Sequence, residues 1–141
     1  MLYVATALVG ADRDLARRVQ DHRKRRPASW GTLELGGGDL GVVLEAAQRW
    51  EAVLLDSLTL WVSARMLDGA ETLDALDRFL EDATSLAARF ILVSDEVGLG
   101  VVPESEAGRA FRDTLGLANQ RAAAAAEEVH LCVAGIGLRI R

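Results

Sequence analysis

Cysteine, lysine and aromatic residues are scarce in this 141-residue chain, and each scarcity excludes something. The single cysteine, Cys132, has no partner for an intrachain disulfide and cannot alone build a thiolate metal cluster. Its expected place is a buried, inert strand position. The single lysine, Lys24, is not part of a Gly-Lys-Ser/Thr element, so no phosphate-binding loop of that form occurs in these residues. Aromatic residues make up 5% of the chain, and none lies between residues 17 and 26, its most basic stretch. The stacking platforms that accompany single-stranded nucleic-acid binding are missing there. No stretch approaches the roughly 20 apolar residues of a membrane span. The N-terminus also lacks the charged region, apolar run and cleavage site of a secretory signal. The expectation is a soluble, cytoplasmic protein with no membrane span and no nucleic-acid partner.

What is present is an apolar half and an uneven charge. A chain of this length suits one domain around one continuous core. The net charge is −5, yet residues 17 to 26 hold six basic side chains against Asp21, a local +5 that leaves −10 on the remainder. An acidic body with one focused positive patch disfavours general polyanion binding and offers a site for a small anion such as a nucleotide phosphate. A solvated basic helix face is the plainer alternative.

Leu2 to Thr6 is a short apolar run rich in strand formers and predicts a buried strand, which something would normally precede. Helical spacing from Asp12 to Arg25 puts Leu15, Val19 and His22 on one side, and Pro27 ends that helix. Trp30, Thr32, Glu34 and Gly36-Gly37-Gly38 read as a loop. A helix is expected over 39–50, a central parallel strand over Ala52–Asp56, and helices over 57–68 and 72–88, divided at Gly69. Phe90–Glu96 predicts a further buried strand, Glu104–Ala126 a long helix, and Val129–Ala134 with Ile136–Ile140 a hairpin turning at Gly135. Alternating strands and helices imply an α/β domain over 1–141, with a mostly parallel sheet and helices on both faces. Ligands bind such sheets beyond the carboxyl ends of the strands, where Thr6, Asp56, Asp95 and Glu96 would converge with the loop around His22.

The segment Arg18-Val19-Gln20-Asp21-His22-Arg23-Lys24-Arg25-Arg26-Pro27-Ala28-Ser29-Trp30, with Thr32 and Glu34, resembles the RIxxHxxxRPxxWxTxE signature of the bifunctional adenosylcobinamide kinase/adenosylcobinamide-phosphate guanylyltransferase family of cobalamin synthesis. Tyr3-Val4-Ala5-Thr6 is similar to that family's YIAT strand, Leu54 to Thr59 to its LLDxLT stretch, and Val93 to Pro103 to its VxNEVGxGxVP loop. Phe111-Arg112-Asp113, Gly116, Asn119-Gln120, Ala126 to Val129 and Gly135-Ile136-Gly137 continue the match. Two departures stand out. The family opens with a strand, a GGxxSGKS loop and a helix before YIAT, and this sequence starts at YIAT; Asp95 stands where the family has asparagine.

The resemblance implies a P-loop NTPase (RecA-like) fold that is N-terminally shortened, missing its first strand and P-loop, and that carries a C-terminal β-hairpin. A strand removed from the middle of the sheet would leave its neighbours unpaired, to be compensated by rearrangement, by oligomer contacts or by limited stability. It also implies a homo-oligomer, a trimer, with GTP and ATP, adenosylcobinamide or its phosphate, and Mg2+ as molecules bound. His22 matches the nucleophile that takes GMP from GTP, a role neutral imidazole suits. Without the motif, a lone histidine at a helix end is structural or merely exposed. Arg23, Lys24, Arg25 and Arg26 fall where the family contacts nucleotide, as do Val4, Ala5 and Thr6; Glu34 is assigned to the guanine. Asp56 would hold Mg2+, or else cap the following helix through N–H groups near Leu58 or Thr59. Glu96 and Asn119 are expected to hold loops in place, and His130 to be structural. A non-catalytic nucleotide-binding or assembly protein of the same fold stays open beside the enzyme.

Overall fold

A computed structural model describes residues 1–8 and 13–141. Asp12, the expected helix start, lies outside the described residues, and so does the side chain of Leu15. Eleven elements follow in order: β1 (Leu2–Ala5), α1 (Arg13–Arg25), β2 (Gly31–Glu34), α2 (Gly41–Ala47), β3 (Ala52–Asp56), α3 (Leu58–Leu67), α4 (Leu73–Ala83), β4 (Arg89–Val93), α5 (Glu106–Ala125), β5 (His130–Val133) and β6 (Ile136–Arg139). β1 to β4 form one sheet in the order β2-β1-β3-β4, parallel throughout, while β5 and β6 pair antiparallel as a separate hairpin. This is an α/β fold with a mostly parallel sheet, consistent with the P-loop NTPase class.

Alternation along the strands divides the sheet into two faces. Leu2 and Val4 of β1 with Val53 and Leu55 of β3 enter the core, where they meet Val43 and Ala47 of α2, Trp61 and Val62 of α3, Leu76 and Phe79 of α4, and Leu115 and Ala118 of α5. Phe79 meets Phe90 of β4 edge-on, with ring centroids 5.6 Å apart. Each large apolar side chain buried there contributes about 1.5–3 kcal/mol before the entropy of ordering it is subtracted. The other face carries Tyr3, Thr32, Glu34 and Asp56, which the strand register sets side by side, and the end of α1 lies over it. Leu54, Ile91 and Val93 share that second face by register, and Ile91 and Val93 are exposed.

Four expectations need correction. Gly31–Glu34 is a strand and not a loop: its polar Thr32 and Glu34 hide the pattern, and pairing with buried β1 creates it. Its close neighbour is Trp50, whose ring would lie 2.4 Å from any Cβ at Gly31. β4 stops at Val93, so Asp95 and Glu96 sit beyond it. No gap opens inside the sheet, because β1 pairs directly with both β2 and β3, and β3 with β4; the free edges are β2 and β4. Cys132 is exposed, since β5–β6 is a two-stranded sheet separate from the large one and, among the described residues, no second layer buries it.

The hairpin itself is as expected. Ala134 (φ 51°) and Gly135 (φ 80°) occupy the left-handed region at its turn, the geometry that matches the twist of two antiparallel strands. Arg141 fastens the C-terminus to α5 by donating to the carbonyls of Ala123 (2.7 Å) and Ala124 (2.9 Å), which the helix end leaves without partners. Among the described residues, no helix is long and apolar enough to cross a membrane.

Candidate functional site

Because the four strands run parallel, their carboxyl ends open on one edge of the sheet. The register sets Ala5 between Glu34 and Asp56, and Asp56 beside Val93. Just below that edge, the Tyr3 hydroxyl donates to Asp56 Oδ2, and the Arg26 guanidinium lies 3.5 Å above the centre of the Tyr3 ring. A guanidinium on an aromatic face is held by the ring quadrupole, more strongly when partly desolvated. Arg26 Nη1 also approaches Thr32 Oγ1 at 3.5 Å, and Arg23 donates to Glu34 Oε1 at 2.6 Å. Arg23 is thereby joined to the acid at the end of β2, and Arg26, the arginine fixed by the signature, is linked through Tyr3 to the acid at the end of β3.

Burial and the adjacent Asp56, as hydrogen-bond acceptor and as negative charge, push the Tyr3 phenol up to about 12; Arg26 opposes them. Tyr3 is therefore a neutral donor across the physiological range. Tyr3 engages one Asp56 oxygen, Oδ2. It does not cap α3: Ser57 does, accepting from Leu60 N–H at 3.3 Å, so the capping alternative for Asp56 is set aside.

The remaining candidates divide. His22 lies exposed on α1, about one helical turn after Val19. Lys24 and Arg25 lie further round the helix end and turn to Asp21, Lys24 by an ion pair at 3.5 Å and Arg25 by a bond to the backbone carbonyl at 3.3 Å. Cations in a last helical turn complement the dipole. The Val4 side chain is in the core, away from the site. The Ala5 carbonyl accepts from Leu35 N–H (2.8 Å) and Gly36 N–H (3.1 Å). Thr6 is fully buried; its hydroxyl donates to Ser57 O and accepts from Ser57 N–H, both at 2.7 Å. Thr6 thus clamps the ends of β1 and β3 together.

A second polar network closes the end of β4. Thr59 Oγ1 accepts from Asp95 N–H at 2.8 Å, Ser94 Oγ donates to Asn119 Oδ1 at 2.6 Å, and Asn119 Nδ2 donates to Asp95 O at 3.0 Å. Glu96 accepts from Gly98 N–H within its own loop. The loop-holding roles expected of Asn119 and Glu96 are seen, but Asp95 and Glu96 belong to this network and not to the Tyr3–Asp56 cluster. His130 pairs with Glu128 at 3.2 Å on the hairpin, a structural contact.

Sequence reasoning passed over Tyr3, Ser57 and Ser94. The signal for Tyr3 was its place between Leu2 and Val4, which strand alternation sends to the opposite face. Among the described residues, no three His, Cys, Asp or Glu side chains cluster as a metal cage. Asp56 offers a single carboxylate, the donor count Mg2+ uses when nucleotide phosphates and water complete its shell.

The model of one protein family, described as cobinamide kinase / cobinamide phosphate guanyltransferase, matches residues 1–140. The bifunctional adenosylcobalamin biosynthesis protein CobP of Pseudomonas aeruginosa is 39% identical over 141 residues, covering 99% of this chain and 81% of the relative. The bifunctional adenosylcobalamin biosynthesis proteins CobU of Salmonella typhimurium and of Escherichia coli K12 are 35% and 36% identical over 156 residues, covering all of this chain and 86% of each relative. With the signature residues of α1 and β2 assembled against the strand ends of a parallel sheet, and the match running through the whole length, this chain belongs to the cobinamide kinase / cobinamide phosphate guanyltransferase family.

Proposed function

We propose that this chain is an adenosylcobinamide-phosphate guanylyltransferase of cobalamin biosynthesis that works through His22. The observation that carries this reading is the junction of α1 with the strand ends: Arg26 on Tyr3, Tyr3 on Asp56 and Arg23 on Glu34, with His22 exposed on α1 one residue before Arg23. A histidine nitrogen there attacks the α-phosphorus of GTP. The bond from that phosphorus to the β-phosphate oxygen breaks, pyrophosphate leaves, and a histidine-linked GMP results. An oxygen of adenosylcobinamide phosphate then displaces the histidine, giving adenosylcobinamide-GDP and free imidazole. Arg23 and Arg26, with Lys24 and Arg25 at the rim, stabilise charge on the departing pyrophosphate. Glu34 accepts from the guanine N–H donors when Arg23 releases it. Asp56 would hold Mg2+ together with the nucleotide phosphates, where the ion neutralises phosphate charge.

The kinase half of the family's chemistry is not assigned to these 141 residues, which contain no Gly-Lys-Ser/Thr loop. Incubation with α-labelled GTP and Mg2+ tests the transferase. The expected result is an acid-labile label on the protein that disappears in His22→Ala. An unlabelled wild-type chain at saturating GTP would overturn the proposal in favour of a nucleotide-binding or assembly protein of the same fold.

A further inference from the structure

The signature accounts for the charges of the site but not for what aligns them. Tyr3 is the second residue of β1, only 7% exposed, and it touches both halves of the cluster: its hydroxyl is on Asp56 Oδ2 and its ring lies under Arg26. The other ties between α1 and the sheet are weak. Arg23–Glu34 joins two side chains each about half exposed, a class of ion pair worth about 0–1 kcal/mol, and Arg26–Thr32 is long at 3.5 Å. Arg26 Nε is buried without a hydrogen-bond partner, so the ring beneath it is the close contact that places the guanidinium.

We infer that Tyr3 is a positioning residue for nucleotide and metal: it orients Asp56 through one oxygen and sets the Arg26 guanidinium above it, so that a single side chain aligns the carboxylate with the cation. The inference rests on the transferase reading for its ligand, a metal-bound guanosine triphosphate. A phenol suits this task better than a serine or lysine, because it joins an acceptor at its tip to a cation on its face and stays neutral between them.

Tyr3 is the only tyrosine, so [ζ-13C]tyrosine labelling yields one NMR resonance per chain. That resonance is expected to move in Asp56→Asn and Arg26→Lys. In the wild type it should also move on adding Mg2+ with a GTP analogue whose α and β phosphorus atoms are bridged by methylene, which binds but cannot transfer. In Tyr3→Phe, Mn2+ bound with the same analogue should weaken on the order of tenfold by electron paramagnetic resonance, the loss of one hydrogen bond to a charged group. The Mg2+ concentration for half-maximal labelling of His22 should rise by a similar factor, while the rate at saturating Mg2+ changes less.

A tyrosine resonance that ignores the metal-bound analogue overturns the inference, as does a folded Tyr3→Phe chain with wild-type metal affinity. The transferase reading fails separately. If wild type binds the analogue and its tyrosine responds, but GTP never labels His22, the positioning role stands and the proposed chemistry falls.

Discussion

The corner where α1 meets β1 and the β5–β6 hairpin use the same vocabulary, arginine, carboxylate and short apolar strands, with opposite results. At the corner, Tyr3, Val4 and Thr6 are buried, and the two hydroxyls that enter are matched: Tyr3 by Asp56, Thr6 by both backbone groups of Ser57. On the hairpin, Val133, Ile136, Leu138 and Ile140 are all more than half exposed. Glu128 meets His130 and Arg139 in solvent. An ion pair or hydrogen bond is worth what its desolvation makes of it. The corner can therefore preserve a geometry, and the hairpin's contacts chiefly decorate a surface.

Deleting core volume on the buried side of the sheet should give the largest effect. Phe79→Ala removes a ring packed on Phe90 and is expected to cost about 3–5 kcal/mol, read as a lower midpoint in urea. Val133→Ala on the exposed strand should change stability by less than about 0.5 kcal/mol; similar losses at the two positions would erase the contrast. Next comes Thr6→Val, which keeps the shape but leaves Ser57 N–H without its acceptor, while Ser57 O keeps the Trp61 N–H at 3.2 Å. The expected cost is about 1–3 kcal/mol, and Thr6→Ser should recover most of it.

The two regions should also part in their response to pH. Tyr3 has its folded pKa raised to about 12, so the neutral phenol is the form that folding favours. Its contribution is complete below the ordinary tyrosine value near 10 and is lost as pH rises toward 12. Tyr3→Phe should flatten that alkaline loss in a denaturation series. Glu128 is displaced the other way: the hydrogen bond from His130, then the charge of Arg139, lower its pKa. What it contributes is present above the ordinary glutamate value and lost as pH falls through the folded one. Being fully exposed, it should show only a slight local change in hairpin NMR shifts. Arg23→Ala is also small in stability, expected to cost about 0–1 kcal/mol and to weaken GTP binding more than it alters folding.

Much of the architecture was legible. The continuous apolar runs at Ala52–Asp56 and Phe90–Val93 announce strands of a parallel sheet, and the 3.6-residue rhythm after them announces α3, α4 and α5. β2 was not legible, because Thr32 and Glu34 look like loop residues until β1 lies beside them. Nor was the exposure of Cys132: a strand residue is buried only if a second layer covers it. At the site, the charges His22, Arg23, Arg26, Glu34 and Asp56 could be named from the motif. Tyr3, which joins two of them, reads in sequence as one more apolar strand former.

The sequence alone determined the order of the helices and of every strand but β2, the family signature and the types of charge available, because those depend on local propensity, periodicity and composition. Only the tertiary structure decided that Tyr3, Arg26 and Asp56 meet, that Ser57 and not Asp56 caps α3, and that the hairpin stands outside the sheet. Apart from the Ser57 cap, which reaches Leu60 three residues on, those are pairings between residues far apart along the chain. They are settled by which strands lie side by side and which faces lose their water, and no window of neighbouring residues contains that information.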